Sequence, residues 1–108
     1  MTQLSAEDQK LVTLARATMA RVGAPEGAAV RDLDGRTYAA AAVALDSLTL
    51  TALEVCVAMA VASGSRGLEA AVRLGDDGDP DLRAVRELGG ADMTVLLGDP
   101  RGQVTRTA

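Results

Sequence analysis

Thr51-Ala-Leu-Glu-Val-Cys-Val-Ala-Met-Ala-Val-Ala-Ser63 is the stretch whose reading decides the fold. From Ala52 to Ala62 only Glu54 carries a charge. A surface helix keeps a polar face, and this stretch keeps almost none. It therefore predicts a helix apolar all round, buried against neighbours on most sides. A single ionised carboxylate in such a helix must be hydrogen-bonded, paired, protonated or placed near an edge, because unpaired burial is costly. Thr51 and Glu54 supply one answer. They stand at capping-box spacing, so the Thr51 hydroxyl accepts from the amide of Glu54 and the Glu54 carboxylate from the amide of Thr51. The carboxylate then sits at the positive end of the helix.

Outward from this helix the chain alternates. Ser5-Ala-Glu-Asp8 opens an N-terminal helix, with Ser5 as cap and acids in its first turn. Leu11, Leu14, Ala15, Thr18 and Met19 recur on one stripe, and Gly23 and Pro25 end the helix. Gly27–Asp32 reads as a strand, Leu33-Asp34-Gly35 as a tight turn, and Arg36–Val43 as the returning strand of a hairpin. Asp46–Thr51 is a polar lead-in to the central helix, which Gly64 and Gly67 terminate. Leu68–Leu74 reads as a third strand. A short helix follows from Pro80 to about Leu88, with Asp79 as its cap. Asp92–Leu97 is a fourth strand, and Gln103–Arg106 a short edge strand. The order predicts three layers, α/β/α, with a mixed sheet of four to five strands and about three helices.

The 108 residues make room for one domain, residues 1–108. A 48% apolar content with one Tyr and no Phe, Trp or His leaves the core to Ala, Val, Leu and Met. A net charge of −4 and ten scattered arginines show no basic face, and there are no aromatic stacking platforms, so a nucleic-acid partner is not expected. The lone Cys56 excludes an intrachain disulfide and fits a reducing compartment. There is no signal-peptide pattern and no membrane-length apolar run, so a cytoplasmic protein without a membrane partner is expected. The preference for Arg over Lys and the Ala bias suggest a bacterial genome of high GC content.

Four segments carry a resemblance to the cytidine deaminase family. Glu26-Gly-Ala-Ala-Val30 resembles the family's Val-Gly-Ala-Ala strand, and Asp34-Gly-Arg-Thr-Tyr38 its Asp-Gly-x-x-Tyr hairpin. Leu50–Gly64 resembles its Cys-Ala-Glu helix. Glu87-Leu88 with Met93–Val104 resembles its last helix, strand and turn. The resemblance implies the family's fold, its dimers or tetramers, and a zinc ion held by three Cys or His ligands, with a Glu two residues after the first ligand moving protons. On this chain the first ligand falls on Ala52 and the proton shuttle on Glu54. The Pro-Cys-x-x-Cys motif falls on Pro80–Ala84, where Asp81 and Ala84 replace the cysteines. The substrate-reading Asn-Val-Glu falls on Ala42-Val43-Ala44. Neither alanine can hydrogen-bond a ribose.

Zinc takes its ligands from Cys, His or carboxylate. Alanine offers none, so no zinc is expected and the chain reads as a degenerate, non-catalytic member with a structural, binding or regulatory role toward a protein partner. The alternative is an active cytidine or nucleoside deaminase with a rebuilt zinc site. A nucleoside sensor without catalysis is disfavoured by Ala42 and Ala44. Glu54 reads as a helix cap before it reads as a vestigial catalytic group. Cys56 reads as a small buried hydrophobe, since the family ligand lies before the Glu and not after it. The acids Asp76, Asp77, Asp79 and Asp81 lack the twelfth-position Glu and flanking helices of a calcium loop, and read as a solvated loop.

Overall fold

The computed structural model describes residues 4–108. Helix α1 (Ala6–Val22) starts at Ser5, whose hydroxyl accepts from the amide of Asp8 at 3.1 Å, and ends at Gly23. Strand β1 (Gly27–Asp32) pairs antiparallel with β2 (Thr37–Ala41) through a turn at Gly35, whose φ of 85° suits a residue without a Cβ. Two-residue strands β3 (Val43–Ala44) and β4 (Thr49–Leu50) pair with each other and lead into α2 (Ala52–Ala62). Strand β5 (Leu68–Leu74), helix α3 (Arg83–Gly89), β6 (Thr94–Gly98) and β7 (Val104–Thr107) complete the chain.

The main sheet has the order β2-β1-β5-β6-β7. It is antiparallel throughout except for β5 and β6, which run parallel because α3 carries the chain across between them. Helix α1 covers one face: Leu11, Val12, Ala15 and Met19 pack on Ala29, Val72, Leu74 and Leu96. Helices α2 and α3 cover the other: Leu53, Cys56, Ala60 and Val85 pack on Ala28, Val30, Ala71 and Val95. With helices on both faces, all six residues of β1 are buried, and its consecutive alanines Ala28 and Ala29 serve opposite cores. Small residues bring the layers close. A Cβ on Gly27 would stand 2.2 Å from Met19 Cγ and 2.8 Å from the Ala15 carbonyl oxygen.

Helix α2 lies along β1 and is tied to it at both ends. Before β1, Glu26 accepts from the amide of Ala52 at 2.9 Å. At the far end of β1, Asp32 accepts from the hydroxyl of Ser65, just beyond α2, at 2.5 Å. Asp32 is 1% exposed and also accepts from the amides of Asp34 and Arg36 and from Tyr38 Oη. The Ser65 hydrogen bond, chief among these, holds its carboxyl below the usual range.

The architecture agrees with the sequence reading, and four details differ. Helix α2 is not buried on most sides: Ala58, Val61 and Ala62 are exposed, and Val55, Val57 and Met59 are half-buried. The main sheet, α3 and the short strand β4 approach it, and its opposite face stays exposed among the described residues. The stripe of α1 is turned toward Val12, leaving Leu14 37% exposed. The expected second strand breaks after Ala41, and the polar lead-in contains the β3–β4 pair, too short to register as a period-2 pattern. Helix α3 starts at Arg83 rather than Pro80. Asp79 does not cap it but pairs with Arg106 at 2.6 Å, and Leu82 stands at the N-cap without a side-chain hydrogen bond. Among the described residues no helix is long and apolar enough to cross a membrane.

Candidate functional site

Open α/β sheets bind ligands beyond the carboxyl ends of their parallel strands. Here those ends are Leu74 of β5 and Gly98 of β6. Beside them stands the start of α2, because Glu26 links the two: one oxygen accepts from the Ala52 amide, and the other meets Arg73 Nη2 at 2.8 Å and Nε at 3.2 Å. Arg73 is held further by the Asp76 carbonyl at 2.9 Å. The Arg73 side chain is 9% exposed and that of Glu26 19%.

The capping box expected at Thr51 and Glu54 is present. Thr51 Oγ1 accepts from the Glu54 amide at 3.1 Å, and Glu54 Oε1 accepts from the Thr51 amide at 2.8 Å. The amides of Thr51, Ala52 and Glu54 are thus all taken by side chains of this chain, two of them acids. The positive end of α2, which would otherwise attract an anion, is occupied from within.

The other expected positions are spread around this point. Asp81 lies just before α3, and its carboxylate is gripped by Arg83 through Nε at 3.0 Å and Nη2 at 2.7 Å, with the Arg83 amide also at 3.0 Å. That grip, led by the side-chain hydrogen bond, pulls its pKa down to about 2. The Asp81 hydrogen bond, before any other cause, holds the pKa of Arg83 above its usual value, and the charge of Glu54 adds least to it. Ala84 lines a groove of about 190 Å³ with Val57, Val61 and Leu88. Ala42 and Ala44 are exposed, at the end of β2 and in β3.

Cys56 is fully buried on α2, and its thiol donates to the Tyr38 carbonyl at 3.6 Å. Burial pushes its pKa up to about 12, so it is neither a thiolate nucleophile nor a ready ligand. A cavity of about 350 Å³ also opens at the strand ends between Arg73, Asp76, Asp77, Thr105 and Arg106. Its guanidiniums are engaged: Arg106 binds Asp79 and the carbonyls of Asp77 and Gly78.

Residues 4–102 match the family described as Cytidine deaminase-like. The chain belongs to the cytidine deaminase-like family. Solved structures agree in fold. Cytidine deaminase from Burkholderia pseudomallei matches with a TM-score of 0.78 at 23% identity, over 100% of this chain and 92% of that one. Cytidine deaminase from Mycobacterium leprae gives 0.72 at 23% identity, over 95% and 94%. Cytidine deaminase from Mycobacterium tuberculosis gives 0.70 at 25% identity, over 84% and 85%. No curated protein matches the chain.

The zinc implied by the resemblance does not fit the residues of this deaminase-like chain. Ala52 offers only a backbone amide, already donated to Glu26. Ala84 offers no donor, and Asp81 is committed to Arg83. Among the described residues no three His, Cys, Asp or Glu side chains converge as a metal group would need.

Sequence reasoning missed Glu26 and Arg73. They lie 47 positions apart, and only the pairing of β1 with β5 brings them together. The one signal was a Glu in front of the small-residue strand, where the family pattern has Val.

Proposed function

We propose that this chain is a non-catalytic member of the cytidine deaminase-like family, one domain over residues 1–108, that holds no catalytic zinc and acts in the cytoplasm by binding protein, first of all a second copy of itself. The observation that carries this reading is the closed start of α2. At the place the resemblance gives to the first metal ligand, Ala52 presents a backbone amide bound to Glu26, and Glu54 is spent on the helix cap. Self-association is supported by the free flank of α2. Ala58, Val61 and Ala62 are exposed and carry no charge, Val61 is 55% exposed, and the small side chains allow close approach of another helix.

The reading is tested on untagged protein purified without chelator, by plasma mass spectrometry and light scattering. The expected result is no stoichiometric zinc, no release of ammonia from cytidine, and a mass of two or more chains that falls to one chain in Val61→Arg. Zinc near one per chain, with cytidine deamination abolished by Glu54→Gln, would overturn it in favour of an enzyme with a rebuilt zinc site. That alternative draws on Glu54, which keeps the family's proton-shuttle position. A strict monomer would overturn the self-association.

A further inference from the structure

We infer that the β3–β4 ribbon is a docking arm that seats in the groove between α2 and α3 of a second copy of the chain. This rests on the self-association proposed above and names the surface that meets α2. The arm is a two-stranded sheet of its own, outside the main sheet. Val43 pairs with Leu50 and Ala44 with Thr49. Leu45 and Leu48 then exchange backbone hydrogen bonds, at 2.9 and 3.3 Å, around a turn at Asp46 and Ser47. Side chains of paired residues share a face, and successive pairs alternate. Val43, Leu50, Leu45 and Leu48 therefore form one apolar face, with Ala44 and Thr49 on the other. The inner pair is half-buried, while Leu45 is 61% and Leu48 48% exposed. A two-stranded ribbon is marginal in water by itself, and this one ends in two uncovered leucines.

The groove is lined by Val57 and Val61 of α2 and by Ala84, Glu87 and Leu88 of α3, and encloses about 190 Å³. An apolar cavity of about 150 Å³ seats a benzene-sized group, so there is room for a leucine side chain. The charges of arm and groove are complementary. Asp46 at the tip of the arm and Arg66 just beyond α2 are both exposed. Neither stands in an ion pair among the described residues. Arg66 belongs to the Leu88 end of the groove: a Cβ on the next residue, Gly67, would stand 3.6 Å from the Leu88 carbonyl oxygen. Glu87 repels Asp46, so the arm enters with its tip toward Arg66. Arm and groove lie on one chain, so a single two-fold axis makes the contact twice. That economy selects a second copy as the occupant over an unrelated protein.

The test is the dissociation constant of the full-length dimer, measured by analytical ultracentrifugation. Leu45→Ala raises it roughly 100-fold, because buried leucine surface is lost at two symmetric contacts. Asp46→Arg and Arg66→Asp each raise it through like-charge contact. The double variant Asp46→Arg/Arg66→Asp exchanges the two charges and returns it to within about threefold of wild type. These positions are exposed, and unchanged far-ultraviolet circular dichroism verifies that the variants fold. A double variant no tighter than the weaker single variant, or a Leu45→Ala dimer as tight as wild type, overturns the proposal. Val61→Arg separates the two claims. A dimer broken by Val61→Arg but untouched by Leu45→Ala keeps self-association and sinks the arm alone. A wild type that stays a strict monomer sinks both and leaves arm and groove to partners of another kind.

Discussion

Glu54 occupies the position that the family resemblance gives to a proton shuttle, and the structure gives it a different occupation that can be weighed. Its carboxylate accepts from the Thr51 amide at 2.8 Å, while Thr51 Oγ1 accepts from the Glu54 amide at 3.1 Å. Losing an N-cap side chain costs about 1 kcal/mol, and a carboxylate in the first turn adds roughly 0.3–1 kcal/mol through the helix dipole. Glu54→Gln keeps an acceptor for the Thr51 amide and loses only the charge, so it should cost about 0.5 kcal/mol. Glu54→Ala loses both and should cost about 1.5 kcal/mol. Thr51→Val, which keeps the shape and removes the hydroxyl, should cost about 1 kcal/mol.

Urea denaturation at a shared slope resolves these steps. In melting temperature each kcal/mol is worth about 4–8 °C in a domain of this size. The two halves of the box support each other, so Thr51→Val/Glu54→Ala should cost less than the two single changes summed. The reasoning is refuted if Glu54→Ala is neutral, or if Glu54→Gln is as damaging as Glu54→Ala. It is refuted more directly if Glu54→Gln leaves stability untouched and removes a measured activity.

Two further predictions follow from the buried groups. Cys56 is fully buried with its pKa near 12, so a thiol reagent should leave it unmodified in the native chain and modify it completely in denaturant; rapid native labelling would mean that α2 opens far more readily than its packing implies. Asp32 has its carboxyl held below the usual range by Ser65, so its contribution is fully present above its unfolded pKa of about 3.9 and is lost as pH falls through the lower folded value. Melting curves below pH 5 should therefore fall more steeply for wild type than for Asp32→Asn, and parallel curves would remove Asp32 as the cause.

Much of the layer plan is legible along the chain because it is built from local chemistry. The small-residue run Gly27–Asp32, the Asp34-Gly35 turn and the Thr51–Glu54 cap each announce themselves within a few residues, and each stands where the pattern puts it. The failures lie where a local signal competes with a distant partner. Asp79 has the position of a helix cap but is drawn to Arg106, 27 residues away, so α3 begins at Arg83 with Asp81 turned onto its guanidinium. The all-apolar run Ala52–Ala62 forms the central helix its pattern predicts, while what meets its apolar surface depends on remote parts of the fold. Val61 is more than half exposed, on a face of α2 turned from the sheet.

The sequence by itself determined the α/β alternation and the capping of the central helix, because these depend on residue identity and on spacing within a turn or two. The tertiary structure decided what occupies the start of that helix. Glu26, Arg73 and Ala52 are remote in sequence, and pairing β1 with β5 beneath α2 is what sets a carboxylate, a buried guanidinium and a helix-start amide within hydrogen-bonding distance. A contact of that kind carries no periodicity and leaves no mark on the chain until the sheet has formed.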